Sequence, residues 1–254
     1  MNLTMKAIFR QIILRILVVL VIIILPSCIV PGGDDNEPVR VNFDVRFDVT
    51  NQTPAYFTFS RAILGINSIR FNGVRQAGND VAFTTRPDRP VGTFVLTPTQ
   101  FLRPMYYFDI QEGVYNSMRW EVMLMPIDDD ALGADDDDFP AENYGFLLEG
   151  RYTRQDGLRA EVVFALAENE VLTLQTVALA AARQITLIVG QTYNVELVIN
   201  PYSLMGGIPR SMLDNAEIDV IDRLNYILIT PEDNRELYDL MILRLSRDLR
   251  AVIN

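Results

Sequence analysis

Histidine is missing from all 254 residues, and cysteine occurs once. Without imidazole there is no Ser-His-Asp or Cys-His nucleophile pair, no HExxH zinc site and no ordinary proton shuttle near neutral pH. Any catalysis would fall to carboxylates, Lys, Tyr or Ser. A single thiol cannot close an internal disulfide, so cysteine pairing contributes nothing to stability. Glycine loops of the GxGxxG or GxxxxGK type are absent too, which removes support for a nucleotide site. Positive charge is scarce, with 22 Lys and Arg against 33 Asp and Glu and a net charge of −11. Residues 1–27 hold only Lys6, Arg10 and Arg15; taking those three positive charges from −11 leaves −14 on the rest. So acidic a chain repels phosphates, and nucleic acid is excluded as a partner.

What is present begins at the N-terminus. Three basic residues precede Ile16–Leu25, ten unbroken apolar residues, and Leu25-Pro26-Ser27-Cys28 follows. A membrane-spanning helix needs about 20 apolar residues. Arg15 and Pro26 cut this run short, to the length of a signal-peptide core. The four residues ending at Cys28 resemble a bacterial lipobox, with proline a less common choice at its middle position. The resemblance implies cleavage before Cys28, diacylglycerol on its sulfur and acylation of the new amine. Each buried lipid CH₂ contributes about 0.8 kcal/mol, so several chains anchor stably where one does not. The expected order is a signal peptide over 1–27, a flexible acidic tether over 28–40, a β-sandwich over 41–200, and a helical segment over 201–254 packed on it. The tether's Asp34-Asp35-Asn36-Glu37 resembles the acidic export signal of Bacteroidetes surface lipoproteins; it reads equally as solvated linker. The expected address is the outer membrane, facing the exterior.

Val41–Val49 alternates apolar and polar residues with period two, the pattern of a strand with one wet face. Phe57, Phe59, Ile63, Ile66, Ile69 and Phe71 continue the β-like composition up to Asn72-Gly73, a dipeptide that favours a tight hairpin. Further strands are expected at 91–97, 106–110, 114–124, 146–152, 158–166, 171–177, 184–189 and 193–199. In 114–124, Val114, Met118, Trp120, Val122 and Leu124 share one face, Tyr115, Arg119 and Glu121 the other, and Asn116 is the polar exception. About ten short strands with frequent turns argue for an antiparallel β-sandwich. Ser211–Ile218 reads as a short helix capped by Ser211. Thr230-Pro231-Glu232-Asp233 reads as the start of a C-terminal helix, with Leu237, Leu240, Met241, Leu245, Leu249 and Val252 on its buried face. Arg244, Arg247 and Arg250 fall in its last turns.

Seven carboxylates fall between Asp128 and Asp138. Asp128, Asp130, Asp135 and Asp137 are candidate calcium ligands, because Ca²⁺ takes six to eight oxygens. Asp128, Asp130 and Gly133 match an EF-hand loop, but Leu132 stands in a ligand slot and Phe139 in place of the bidentate Glu. A solvated, self-repelling loop is the plainer expectation. Paired carboxylates for glycoside hydrolysis need a facing geometry that spacing along the chain does not supply. Trp120 and several tyrosines can in principle build a sugar-stacking platform. Trp120 is in phase with core residues, so Tyr107 and Tyr115 are the better candidates for an exposed ligand-binding face.

Three stretches resemble a group of Bacteroidetes outer-membrane and surface lipoproteins: Phe108–Tyr115, Tyr193–Asn200, and Ile229–Asn234 running into Leu237-Tyr238. Phe108–Tyr115 is also similar to a segment of fimbrillin-type pilus proteins. The resemblance covers about a fifth of the chain and implies a lipid-anchored β-sandwich with a C-terminal helix, without catalytic residues. The functional expectation is a non-catalytic binding or structural module, with a glycan or protein partner. The alternatives are a fimbria-associated or adhesin subunit and a carbohydrate-processing enzyme using paired carboxylates. Against a pilus subunit stand the lack of a marked cleavage site at Arg40 or Arg46 and an expected helical C-terminus in place of a polymerising strand.

Overall fold

The computed structural model describes residues 37–50, 55–86, 88–98, 105–132, 143–178, 184–221 and 223–253. Cys28, its lipobox, most of the tether, Asp135 and Asp137 lie outside the described residues. Strands make up 56% of the described residues, so the chain is mainly β.

The strands, in chain order, are β1 (Pro38–Phe47), β2 (Phe57–Arg75), β3 (Val81–Thr84), β4 (Gly92–Leu96), β5 (Tyr106–Gln111), β6 (Gly113–Leu124) and β7 (Tyr144–Thr153). They continue with β8 (Arg159–Ala167), β9 (Val171–Ala178), β10 (Ile185–Leu187), β11 (Thr192–Ile199), β12 (Asp219–Ile221), β13 (Leu224–Ile229) and β14 (Arg250–Ile253). Among the described residues the helices are α1 (Pro201–Met205), α2 (Arg210–Asp214) and α3 (Arg235–Asp248).

Eleven strands form one path in the order β12-β13-β8-β7-β2-β6-β9-β14-β11-β1-β5, with β3 and β4 on β2 and β10 on β6. This sheet curls into a half-barrel and is mixed, which departs from the antiparallel sandwich expected. Three pairs are parallel: β1 with β11, β8 with β13 and β9 with β14. Alternation along a strand reports which face is buried, not which way its neighbour runs. That is why the sequence misses these pairs. β1 also begins at Pro38, so Pro38, Val39 and Arg40 belong to the sheet and not to a tether.

The core follows from the alternation. Val39, Val41, Phe43, Val45 and Phe47 all turn inward from β1. Burying each of these side chains stabilises the fold by about 1.5–3 kcal/mol. The middle of the sheet is buried on both faces. Ile127 and Leu132 fold back over Ile63, Leu147, Val163 and Ala165 to make a second, smaller core. This explains the unbroken apolar runs in β7 and β8, which a strand with a wet face would not tolerate.

Asn72-Gly73 is not a hairpin turn. It lies inside β2, where Gly73 pairs with Met118 on one side and Val81 on the other. The glycine serves close approach: a Cβ there would stand 2.6 Å from the Tyr115 ring and 2.8 Å from the Phe71 ring. A tight turn does form at Asp156-Gly157, between β7 and β8. Gly157 takes φ +88°, and the Leu158 amide donates to Asp156 Oδ1 at 3.0 Å.

The C-terminal region also differs. Asn200 caps α1 by accepting from the Ser203 amide at 2.9 Å, with Pro201 in the first turn. That helix was not expected, although its Asn-Pro start is a standard one. α2 is shorter than Ser211–Ile218, and Pro209, not Ser211, holds its cap position. Thr230 does not cap α3 directly. Its hydroxyl accepts from the Glu232 and Asp233 amides at 3.1 and 2.9 Å, closing a separate turn before Asn234 starts the helix. α3 ends at Asp248, Leu249 is extended, and Ala251 and Ile253 then turn inward as strand residues. The described residues after α3 therefore form a strand and not a continued helix. β14 sits between β9 and β11, hydrogen-bonded along both edges. Among the described residues, no helix is long and apolar enough to cross a membrane.

Candidate functional site

Asp128 and Asp130 lie at a short 3₁₀ turn and are exposed. The described residues contain no cluster of three or more acids, Cys or His suited to a metal ion. The calcium reading therefore depends on Asp135 and Asp137, outside those residues.

Tyr107 stands on the outer face of the edge strand β5 and is 56% exposed. The Arg40 guanidinium lies 4.3 Å from its ring centroid and reaches Asp109 Oδ1 at 3.4 Å. Asn42, opposite Tyr107 in the register, donates to Asn194 Oδ1 at 2.9 Å. Together these make a polar ladder with one aromatic ring, held by exposed contacts of small individual worth.

Tyr115 is not on an exposed face. β2 and β6 slip register between Val74/Ser117 and Arg75/Tyr115, which leaves Asn116 as the extra residue of a β-bulge. Upstream of the bulge the alternation inverts, so Tyr115 joins Met118 and Trp120 inside and is fully buried. Its hydroxyl donates to the Gln111 carbonyl at 2.7 Å. Burial pushes that hydroxyl up to about 12, against the opposing pull of the Arg75 cation. Arg75 donates to Gln111 Oε1 and the Glu112 carbonyl, both at 3.1 Å, so the two side chains fix the corner between β5 and β6.

A second tyrosine cluster ties α2 to the β7–β8 hairpin. Tyr152 donates to Asp214 Oδ1 at 2.7 Å, and the Gln155 amide reaches the same oxygen at 3.2 Å. Arg210 lies over the Tyr56 ring at 4.6 Å and donates to the Thr153 carbonyl. Burial, followed by the bond to the Asp214 carboxylate, pushes Tyr152 up to about 12. The same bond is the main cause lowering the Asp214 carboxyl.

Among the described strand pairings, one sets two acids side by side. Asp44 and Glu196 are direct neighbours across β1 and β11. Burial raises the Asp44 carboxyl, the Met105 amide counteracts this, and Glu196 adds to it. Glu196 is held by Arg46 at 3.3 Å. Both acids project from the same face of one sheet. The hydrolytic arrangement needs them facing each other across a substrate, which this is not.

A cavity of about 570 Å³ opens between the last turns of α3 and the edge of β9. β14 pairs with β9 only from Gln175 onward, so Val171–Leu174 have β6 on one side and this groove on the other. Sequence reading misses it, because its two walls lie about seventy residues apart in the chain and Arg250 reads as a helix-terminal cation.

With the geometry in place, comparison adds no relative: the chain matches no protein-family model, no curated protein and no solved structure.

Proposed function

We propose that this chain is an exported lipoprotein of the cell envelope, anchored by acyl chains on Cys28, with its β domain acting as a non-catalytic binding or structural module. One observation carries the reading: the only cysteine ends Leu25-Pro26-Ser27-Cys28, immediately after an apolar run too short to span a bilayer. The polar groups of the β domain support the non-catalytic part. Tyr115, Tyr152 with Asp214, and Glu196 with Arg46 are each engaged in holding structure. The acidic Asp34-Asp35-Asn36-Glu37 segment supports display at the outer surface of the outer membrane.

The test is metabolic labelling with a clickable fatty acid, followed by the intact mass of the purified protein. Wild type should carry label and begin at Cys28; Cys28→Ala should carry none. Retention of Met1, or an unmodified Cys28 sulfur, overturns the reading. Protease treatment of whole cells then distinguishes the outward-facing from the inward-facing anchor.

A further inference from the structure

The groove beside β9 has three properties that bear on what it holds. Half of its lining residues are aliphatic, Leu166, Leu172, Ile242 and Leu245 among them, and none is aromatic. Its volume of about 570 Å³ falls within the range of about 300–1,000 Å³ typical of small-molecule sites. Its two ends differ in charge. Glu170 lies toward Tyr238, whose hydroxyl it helps to raise, and Arg250 lies opposite Gln175. Five residues of strand separate those positions, about 16 Å at 3.3 Å per residue.

The two arginines of the lining are not equivalent. Arg247 is bound to Asp248 at 2.9 Å. Arg250 is exposed, and among the described residues no carboxylate pairs with it. A cation without a carboxylate partner among the described residues, in a chain of net charge −11, stands at one end of a groove with a half-aliphatic lining. We infer that the groove binds a single-chain alkyl carboxylate, with its head at Arg250 and its tail along β9 beneath the last turns of α3. The guanidinium forms charge-assisted bonds to the head, which a hydroxyl or ammonium head cannot reproduce. Glu170 at the far end repels a carboxylate entering the wrong way round. The aliphatic half of the lining, with no aromatic ring to stack on, suits an alkyl chain better than a flat ring.

This deepens the binding-module reading and rests on it, while its test does not depend on the state of Cys28. The purified full-length protein is irradiated with a photoreactive diazirine analogue of decanoate, and the labelled peptides are mapped. Label is expected on peptides covering 166–175 and 242–250. An excess of plain decanoate should suppress it at least about tenfold more effectively than decanol or decylamine. Arg250→Gln should reduce the labelling by a similar factor. Ser246→Trp, a bulky change at the exposed rim, should block it while leaving the circular dichroism unchanged. Label spread evenly over the chain, equal competition by decanol, preferential competition by decylamine, or full labelling of Arg250→Gln each overturns the inference. Since Cys28 acylation is read separately by mass, loss of labelling on a normally acylated protein rejects the groove alone.

Discussion

The Tyr115 ring lies over Gly73, with Cε1 2.6 Å from the place a Cβ on that glycine would occupy. Phe71 crowds the same place at 2.8 Å, and both rings are fully buried. Neither can swing aside into solvent. Tyr115 is further held through its hydroxyl at Gln111. The inward turn of Tyr115 after the Asn116 bulge and the bare backbone at Gly73 are thus two halves of one packing arrangement.

Gly73→Ala should therefore destabilise the fold by about 1–3 kcal/mol, the usual cost of overpacking a filled core. Urea unfolding would read this as a lower midpoint with an unchanged slope. A neutral result would mean that the rings can slide past one another.

Trp120 is the only tryptophan and is fully buried, with its indole N–H donating to Thr176 Oγ1 at 2.8 Å. Native emission should accordingly be blue-shifted and poorly quenched by acrylamide, moving to the red on unfolding. Thr176→Val keeps the shape and removes the acceptor, which should cost about 1–3 kcal/mol. Thr176→Ser should recover most of that loss. Equal stability of the valine and serine variants would show that the bond is immaterial.

Alkaline pH should weaken the fold in a definite window. Burial pushes Tyr115 and Tyr152 from 10.0 to about 12. Between those values the unfolded chain releases the two protons while the folded chain keeps them. Stability is intact below about pH 10 and falls as pH rises toward about 12, by on the order of 2 kcal/mol per tyrosine. Chemical denaturation at stepped pH would trace the fall, and Tyr152→Phe should make it shallower. A flat profile across the window would refute the assignment.

Ile253 is buried in β14, the strand that joins β9 to β11. Ile253→Ala should cost about 2 kcal/mol or more through the cavity it leaves. Hydrogen exchange should speed up first along the β9–β14 and β11–β14 ladders. Uniform exchange across the sheet would indicate that β14 has no special place in cohesion.

Strand existence is legible wherever one face is buried, as in β1 and in the downstream part of β6, because alternation there mirrors burial residue by residue. Tyr115 escapes that logic. A bulge adds one residue, and everything beyond it changes face. Asn116, polar at a position that ought to be apolar, is the trace it leaves in the sequence. Asn72-Gly73 carries turn chemistry that the long-range packing of Tyr115 overrides. Thr230 offers its hydroxyl to nearby amides as a helix cap would, so a turn before a helix and a helix start look alike. The groove leaves no local signature, since Arg250 meets Gln175 only after the sheet has formed. Tyr107 is the candidate whose exposure the pattern identifies, because β5 keeps strict alternation from Tyr107 to Ile110.

The position of β14 has a consequence for how the molecule comes into being. A ribosome delivers β1 through β13 before Arg250–Ile253 emerges, yet among the described residues the strands from β12 to β9 join the β11-β1-β5 group in one hydrogen-bonded path only through those four residues. Until they arrive, two facing strand edges stay unpaired. Closing the ladder therefore waits on a strand made after both of its partners, a non-local pairing that loop-closure entropy makes slow.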